Sequence, residues 1–122
     1  MWIFDATGFF SIVKKDCGDD ELLVRARVYD DLKRLADKLT IPAAAIVETP
    51  RVDYRYRMTV KASAIAEYLA ASALAIDYDN FKASLLHKTP MDAKRARAYA
   101  DVWGTLRQLQ TRGRTDRKTD AY

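Results

Sequence analysis

The amino-acid sequence predicts an α+β fold in which three to four helices lie mainly on one face of a four-stranded, mostly antiparallel sheet. Two observations lead to this prediction. Segments in the first half alternate between apolar and polar residues, as strands do when only one face is buried. Segments in the second half carry apolar residues at helical spacing. The predicted order β-β-α-β-β-α-α-α is typical of the α+β class, and a variant of the ferredoxin-like arrangement fits it.

The first two predicted strands form a hairpin. Residues 8–15 are rich in aromatic and β-branched side chains, and Trp2–Phe4 is expected to extend this strand across a bend. Glycine and aspartate residues cluster over 16–20 and predict a turn. Residues 23–28 then alternate again and are expected to pair with the first strand in the antiparallel direction.

A helix and two further strands follow the hairpin. Asp30 is placed to cap a helix whose apolar residues recur at helical spacing as far as Leu39. Pro42 bounds this helix because proline cannot continue a helical hydrogen-bond pattern. Residues 45–48 predict a short strand, and residues 54–60 predict a longer one with regular alternation.

The second half of the chain is predicted to be helical. One helix begins near Ala62 and ends before the break at residues 77–80. Asp79 is expected to cap a short helix that continues to Leu86. The segment Thr89-Pro90-Met91-Asp92 has the N-cap threonine, first-turn proline and third-position acid typical of a helix start, and it predicts a long final helix.

Composition and charge restrict the class of protein. The chain has 122 residues and 13.9 kDa, which suits a single domain over residues 1–110 followed by a disordered basic tail over residues 111–122. The net charge of +4 is a weak indication of an anionic partner. A single cysteine, Cys17, excludes an intramolecular disulfide framework, and a single histidine, His87, excludes a histidine-rich metal site.

The expected setting is the cytoplasm, without a membrane partner or a cofactor. The most apolar stretch, residues 62–76, is interrupted by polar residues and is too short to span a bilayer. The first residues lack the pattern of a signal peptide. No glycine-rich phosphate loop, paired-cysteine metal site or Ser–His–Asp set is present in the sequence, so a non-enzymatic protein is expected.

Four arginines form the most informative pattern because alternation places them on the polar face of two predicted strands. The same alternation places Tyr54 and Tyr56 on the apolar face of the later strand. Arginine donates bidentate hydrogen bonds to phosphate and stacks on bases, so nucleic acid is the favoured partner and an acidic protein surface is another. The candidate contacts are Arg25, Arg27, Arg55, Arg57 and Lys14, with Phe9, Tyr54 and Tyr56 as aromatic contacts.

Three other interpretations of these residues stay open. Any half-exposed sheet alternates polar with apolar residues, and these arginines could simply pair with nearby acids: Asp19, Asp20, Glu48 or Asp53. A protein-interaction or inhibitory factor, such as a small regulator of a host or mobile-element system, would use exposed aromatic anchors: Trp2, Phe9, Tyr54 or Tyr56. A small metal-dependent enzyme would use carboxylate ligands: Asp53, Asp77 and Asp79.

Several segments together resemble a group of small bacterial proteins with no established function. The resemblance covers residues 1 to about 106 and implies a stand-alone cytoplasmic domain. It implies no activity, substrate or catalytic residue. The segments that carry it are 1–4, 8–13, 23–27, 48–50, 53–57, 76–82 and 102–103.

Overall fold

A computed structural model of the chain describes residues 1–110. The predicted disordered tail, residues 111–122, lies outside the described residues. The strands are β1 (Trp2–Phe4), β2 (Phe9–Val13), β3 (Glu21–Ala26), β4 (Val47–Glu48) and β5 (Tyr56–Lys61). The helices are α1 (Tyr29–Lys38), α2 (Ala62–Leu74) and α3 (Pro90–Leu106).

The strands form one sheet in the order β1-β2-β3-β5-β4, and each neighbouring pair is antiparallel. The predicted α+β class is confirmed, but the sheet has five strands and not four. The extra strand is β1, which folds back on β2 and does not extend it. The carboxylate of Asp5 drives this reversal by accepting the backbone N–H groups of Thr7 and Gly8. The strand order differs from the ferredoxin-like arrangement.

The chain divides into two compact units, Met1–Asp77 and a second that begins at Tyr78. The first unit holds the whole sheet with α1 and α2, and the second holds α3. Residues 77–80 were predicted only as a break between helices, and the boundary falls within that break. The single domain predicted over residues 1–110 stays a prediction.

Helices α1 and α2 cover one face of the sheet in the first unit. Alternate residues of β2, β3 and β5 face them and are buried or partly buried, so apolar side chains of these strands meet those of the helices. Each large side chain that is fully buried contributes roughly 1.5–3 kcal/mol. The buried core residues are Phe10, Ile12, Val24, Ala26, Leu32, Leu35, Ala36, Met58, Val60 and Ile65.

A buried carboxylate, Asp31, joins α1 to the turn between β1 and β2. Asp31 is 1% exposed, accepts the N–H of Phe9 at 3.1 Å and forms an ion pair with Arg34 at 2.7 Å. Gly8 passes so close that a Cβ there would lie 2.3 Å from the Asp31 Cγ. The predicted cap at Asp30 is wrong because the N-cap of α1 is Val28, two residues earlier, and it makes no side-chain cap hydrogen bond.

In the second unit, the predicted start of α3 is confirmed. The Thr89 hydroxyl accepts the Asp92 N–H at 3.0 Å, and the Asp92 carboxylate accepts the Thr89 N–H at 3.0 Å. Hydrogen bonds from the backbone of Lys88 and then of Thr89 lower the pKa of Asp92. The short helix predicted before α3 is a 3₁₀ turn, Lys82–Ser84, and the side chain of Asn80 rather than Asp79 accepts the Ala83 N–H.

Gly8→Ala tests the contact with Asp31. We expect the free energy of unfolding, measured by urea denaturation, to fall by about 2–3 kcal/mol because the new methyl group displaces the buried carboxylate from its hydrogen bonds. The control is Gly104→Ala in α3, where an added Cβ meets nothing within 4 Å. This control should gain up to about 1 kcal/mol from helix propensity. Equal stability of Gly8→Ala and the wild type would contradict the proposed constraint.

Tyr68 gives the fold a dependence on alkaline pH. Its phenol donates to the Asp5 carboxylate and lies 2.9 Å from the Thr7 hydroxyl, which ties α2 to the turn between β1 and β2. Burial, followed by the hydrogen bond to Asp5, raises the pKa of Tyr68 to about 12. The raised pKa means that the neutral phenol stabilises the fold below its ordinary pKa of 10.0, and that this contribution is lost as the pH rises toward 12.

We therefore expect the stability difference between the wild type and Tyr68→Phe to shrink as the pH rises from about 10 to about 12. Urea midpoints measured across this range would show the change. A constant difference for Tyr68→Phe would contradict the expected linkage.

Candidate anion-binding face of the sheet

The sheet face opposite α1, here called the arginine face, carries a row of side chains from all five strands. Pairing places Trp2 opposite Ser11, Ser11 opposite Arg25, and Arg25 opposite Arg57, which is in turn opposite Val47. Neighbouring strands lie about 4.8 Å apart, so adjacent members of this row are in side-chain contact range. The strand register therefore determines which groups meet on this face.

Arg25 and Arg57 are directly opposite like charges, an arrangement that destabilises a sheet unless something compensates it. Both side chains are half-buried. Arg25 donates to the Ser11 hydroxyl at 2.8 Å, and Arg57 donates to the carbonyls of Asp53 and Tyr54 at 3.1 and 3.2 Å. Within residues 1–110 neither guanidinium has a carboxylate partner, and each Nε is buried without a hydrogen-bond acceptor. The pair thus retains uncompensated positive charge.

The other two predicted arginines are paired with acids. Arg27 lies 2.7 Å from the Asp53 carboxylate, and Arg55 lies 2.5 Å from the carboxylate of Glu48. All four side chains are about half exposed or more, and exposed pairs of this kind contribute only about 0–1 kcal/mol. The interpretation that the arginines simply pair with nearby acids therefore fits Arg27 and Arg55. It does not fit Arg25 and Arg57.

Tyr54 lies on the arginine face and not on the apolar face predicted for it. Its φ of 59° is left-handed, so β5 begins only at Tyr56 and the alternation does not extend back to Tyr54. The Tyr54 ring is 5% exposed, and its centroid lies 4.6 Å from the Arg25 Cζ and 4.2 Å from the Arg27 Cζ. A left-handed conformation at a bulky residue costs about 1–3 kcal/mol, which the two cation–π contacts help to offset.

Aromatic side chains from β1 and β2 adjoin the arginines. Phe4 stacks on Phe9 with centroids 4.6 Å apart, and Trp2 meets Phe9 edge-on at 5.8 Å. Trp2 is 64% exposed, whereas Phe4 and Phe9 are half-buried. The sequence interpretation named Trp2 and Phe9 but missed Phe4 and Ser11, because it treated the first residues as an extension of β2 and not as a paired strand.

Two other predicted contacts, Lys14 and Tyr56, lie away from the central arginine pair. Lys14 follows β2, and its ammonium donates to the carbonyls of Gly18 and, at 2.9 Å, of Glu21, so it closes the β2–β3 turn. Tyr56 packs against the core on the helix side, meets Tyr29 edge-on at 5.6 Å, and its ring centroid lies 5.9 Å from the Arg55 Cζ. Neither Lys14 nor Tyr56 therefore belongs to the row that holds Arg25 and Arg57.

The metal-enzyme alternative finds no support in the described part of the chain. Among residues 1–110, no three His, Cys, Asp or Glu side chains lie together as a group that could hold a metal ion. Asp53, Asp77 and Asp79 are thus not assembled into such a group, and Asp53 instead pairs with Arg27. Across the same residues, none of the helices has both the length and the apolar character needed to cross a membrane.

Comparisons with known proteins found no match to a family model, to a curated protein or to a solved structure. The resemblance to small bacterial proteins therefore stays a prediction. The fold and the face define an α+β protein with a basic and aromatic sheet surface, and its function is inferred from that surface.

Inorganic phosphate tests whether the Arg25–Arg57 pair accepts an anion. We expect phosphate to raise the melting temperature of the wild type more than that of Arg57→Gln, because binding to the native state stabilises it by mass action. Phosphate also stabilises proteins by a general exclusion effect, so Arg97→Gln in α3 serves as the control with the same charge change. Sodium chloride at equal ionic strength is the reference. Equal shifts in all three proteins would contradict an anion site at this pair.

Proposed function

We propose that this protein is a non-enzymatic binding module and that its arginine face binds single-stranded nucleic acid. The observation that carries the proposal is the Arg25–Arg57 pair, which faces no carboxylate among residues 1–110 and lies in the same cross-strand row as exposed Trp2. An anionic ligand would neutralise the two guanidiniums, and Trp2 supplies a surface for a base.

The arginine pair suits a phosphate group. Guanidinium presents planar, directed donors that match phosphate oxygens, and charge-assisted hydrogen bonds of this kind are about twice as strong as neutral ones. Arg25 and Arg57 lie on adjacent strands, so one phosphate can accept hydrogen bonds from both. The Ser11 hydroxyl is buried and accepts a hydrogen bond from Arg25, so it holds that guanidinium in the row. The two guanidiniums together present donors that suit an oxyanion.

The aromatic residues favour a single strand over a duplex. Trp2 lies two strands from Arg25, or roughly 10 Å away, which is comparable to the reach of one or two nucleotides. Stacking of an unpaired base on an aromatic side chain contributes about 1–3 kcal/mol. Bases in a duplex are stacked on one another and cannot reach Trp2, so a single strand is the ligand that uses both halves of the face.

The second candidate function is binding of an acidic protein surface. Its supporting observation is that Trp2 is exposed beside a basic surface, and tryptophan and arginine are the residue types most enriched at interaction hot spots. Salt dependence distinguishes the two functions. A nucleic-acid complex weakens steeply as salt rises, whereas a protein complex anchored by Trp2 depends less on salt.

Fluorescence anisotropy with a labelled, single-stranded oligonucleotide tests the proposal. Phosphate contacts by the four arginines predict a roughly 50-fold loss of affinity between about 50 and 200 mM salt. In Arg25→Gln/Arg57→Gln only two contacts remain, so we expect weaker binding and a loss of about sevenfold over the same range. Arg97→Gln should behave like the wild type.

Trp2→Ala separates stacking from charge in the same assay. We expect this variant to lose roughly tenfold or more in affinity while its salt dependence stays that of the wild type, because Trp2 carries no charge. Absence of binding by the wild type at the lowest salt concentration would overturn the proposed function. It would leave the acidic protein surface as the remaining candidate.

A further inference from the structure

The loop between β4 and β5 already occupies part of the arginine face. The Asp53 carboxylate lies 2.7 Å from Arg27, and the Tyr54 ring lies against the guanidiniums of Arg25 and Arg27. The carbonyls of both residues accept hydrogen bonds from Arg57. A carboxylate beside a planar ring presents to these arginines the two kinds of group that a nucleotide presents, an oxyanion and a base.

We propose that Asp53 and Tyr54 act as an internal competitor that fills one nucleotide subsite of the arginine face. The carboxylate stands where a phosphate of the ligand binds Arg27, and the phenol ring stands where a base stacks on Arg25 and Arg27. The inference rests on the proposed function and deepens it, because it assigns a base-and-phosphate subsite to the same face. Binding of a nucleotide at this subsite is an exchange with the loop.

The loop is built so that it can leave. Arg51 and Tyr54 have left-handed φ values of 71° and 59°, which non-glycine residues adopt only when their surroundings hold them there. Arg51, Val52 and Asp53 are exposed, whereas the Tyr54 ring is buried beside Phe9 and the arginines, so Tyr54 is the buried side chain of this loop that release must expose. The loop is closed at its base by the Thr49 N–H, which donates to the Arg55 carbonyl at 2.7 Å. Strain is therefore relieved when Tyr54 moves off the arginines.

Ligands with and without bases distinguish the role of the Tyr54 ring from that of the Asp53 carboxylate. A ligand with bases replaces both the Tyr54 ring and the Asp53 carboxylate, because a base restores the stacking that the guanidiniums lose. A ring-less phosphodiester strand can replace only the carboxylate. Removing the ring should therefore help only ligands that carry bases, while removing the carboxylate should help both kinds.

Anisotropy with two labelled strands of equal length and charge, one with bases and one abasic, tests this. We expect Tyr54→Gly, which keeps the left-handed backbone unstrained, to bind the base-carrying strand roughly fivefold to tenfold more tightly than the wild type and the abasic strand equally. Asp53→Asn should bind both strands roughly twofold to fivefold more tightly. The control with the same charge change is Asp19→Asn in the β2–β3 turn, which should match the wild type.

Hydrogen exchange of the wild type provides a second test that needs no substitution. When the base-carrying strand binds, the amides of residues 49–55 should exchange faster, because the loop has left the face, while the amides of β2 and β3 should not. Slower exchange at residues 49–55, or weaker binding of the base-carrying strand by Asp53→Asn and Tyr54→Gly, would overturn the inference and leave the proposed function intact. If no variant and no wild-type protein binds either strand, the proposed function itself fails.

Discussion

The buried carboxylate of Asp31 is the interaction on which the shape of the arginine face depends. It holds the Phe9 N–H from the helix side of the sheet, and it leaves room for nothing larger than glycine at residue 8. This contact sets where β2 begins and, through the turn at Asp5, how β1 returns along it. The position of Trp2 beside the arginines is thus a consequence of a hydrogen bond made on the other face of the sheet.

Charge on the arginine face is distributed unevenly, and this asymmetry is the basis of the functional proposal. The outer arginines, Arg27 and Arg55, have exposed acids within reach. The central pair, Arg25 and Arg57, is half-buried between strands, and within residues 1–110 its contacts are Ser11, backbone carbonyls and the Tyr54 ring. A protein that needed only a solvated polar face would gain by placing an acid opposite one of them, because opposite charges on facing residues stabilise a sheet.

In the proposed exchange, the loop that supplies Tyr54 links folding to binding. Its closed position gives Arg57 two carbonyl acceptors and covers Arg25 and Arg27 with the Tyr54 ring, and its left-handed residues store part of the cost of that position. A face that is filled by its own chain avoids exposing unpaired guanidiniums and an aromatic surface at the same time. The affinity of the face for an external ligand is then set by the difference between two sets of similar contacts, and not by the contacts of the ligand alone.

The sequence by itself determined the α+β class, the placement of Arg25 and Arg57 opposite the core, and the start of α3, because each depends on local periodicity or on a cap within four residues. Only the tertiary structure decided that β1 forms a fifth strand, that Lys14 binds carbonyls of the β2–β3 turn, and that Tyr54 lies against the arginines. Alternation predicts which face of the sheet a side chain occupies only while the backbone stays extended. The left-handed conformation of Tyr54 interrupts the alternation before β5. Which charges stay unpaired depends on strand register and on contacts between distant residues, neither of which leaves a local pattern in the chain.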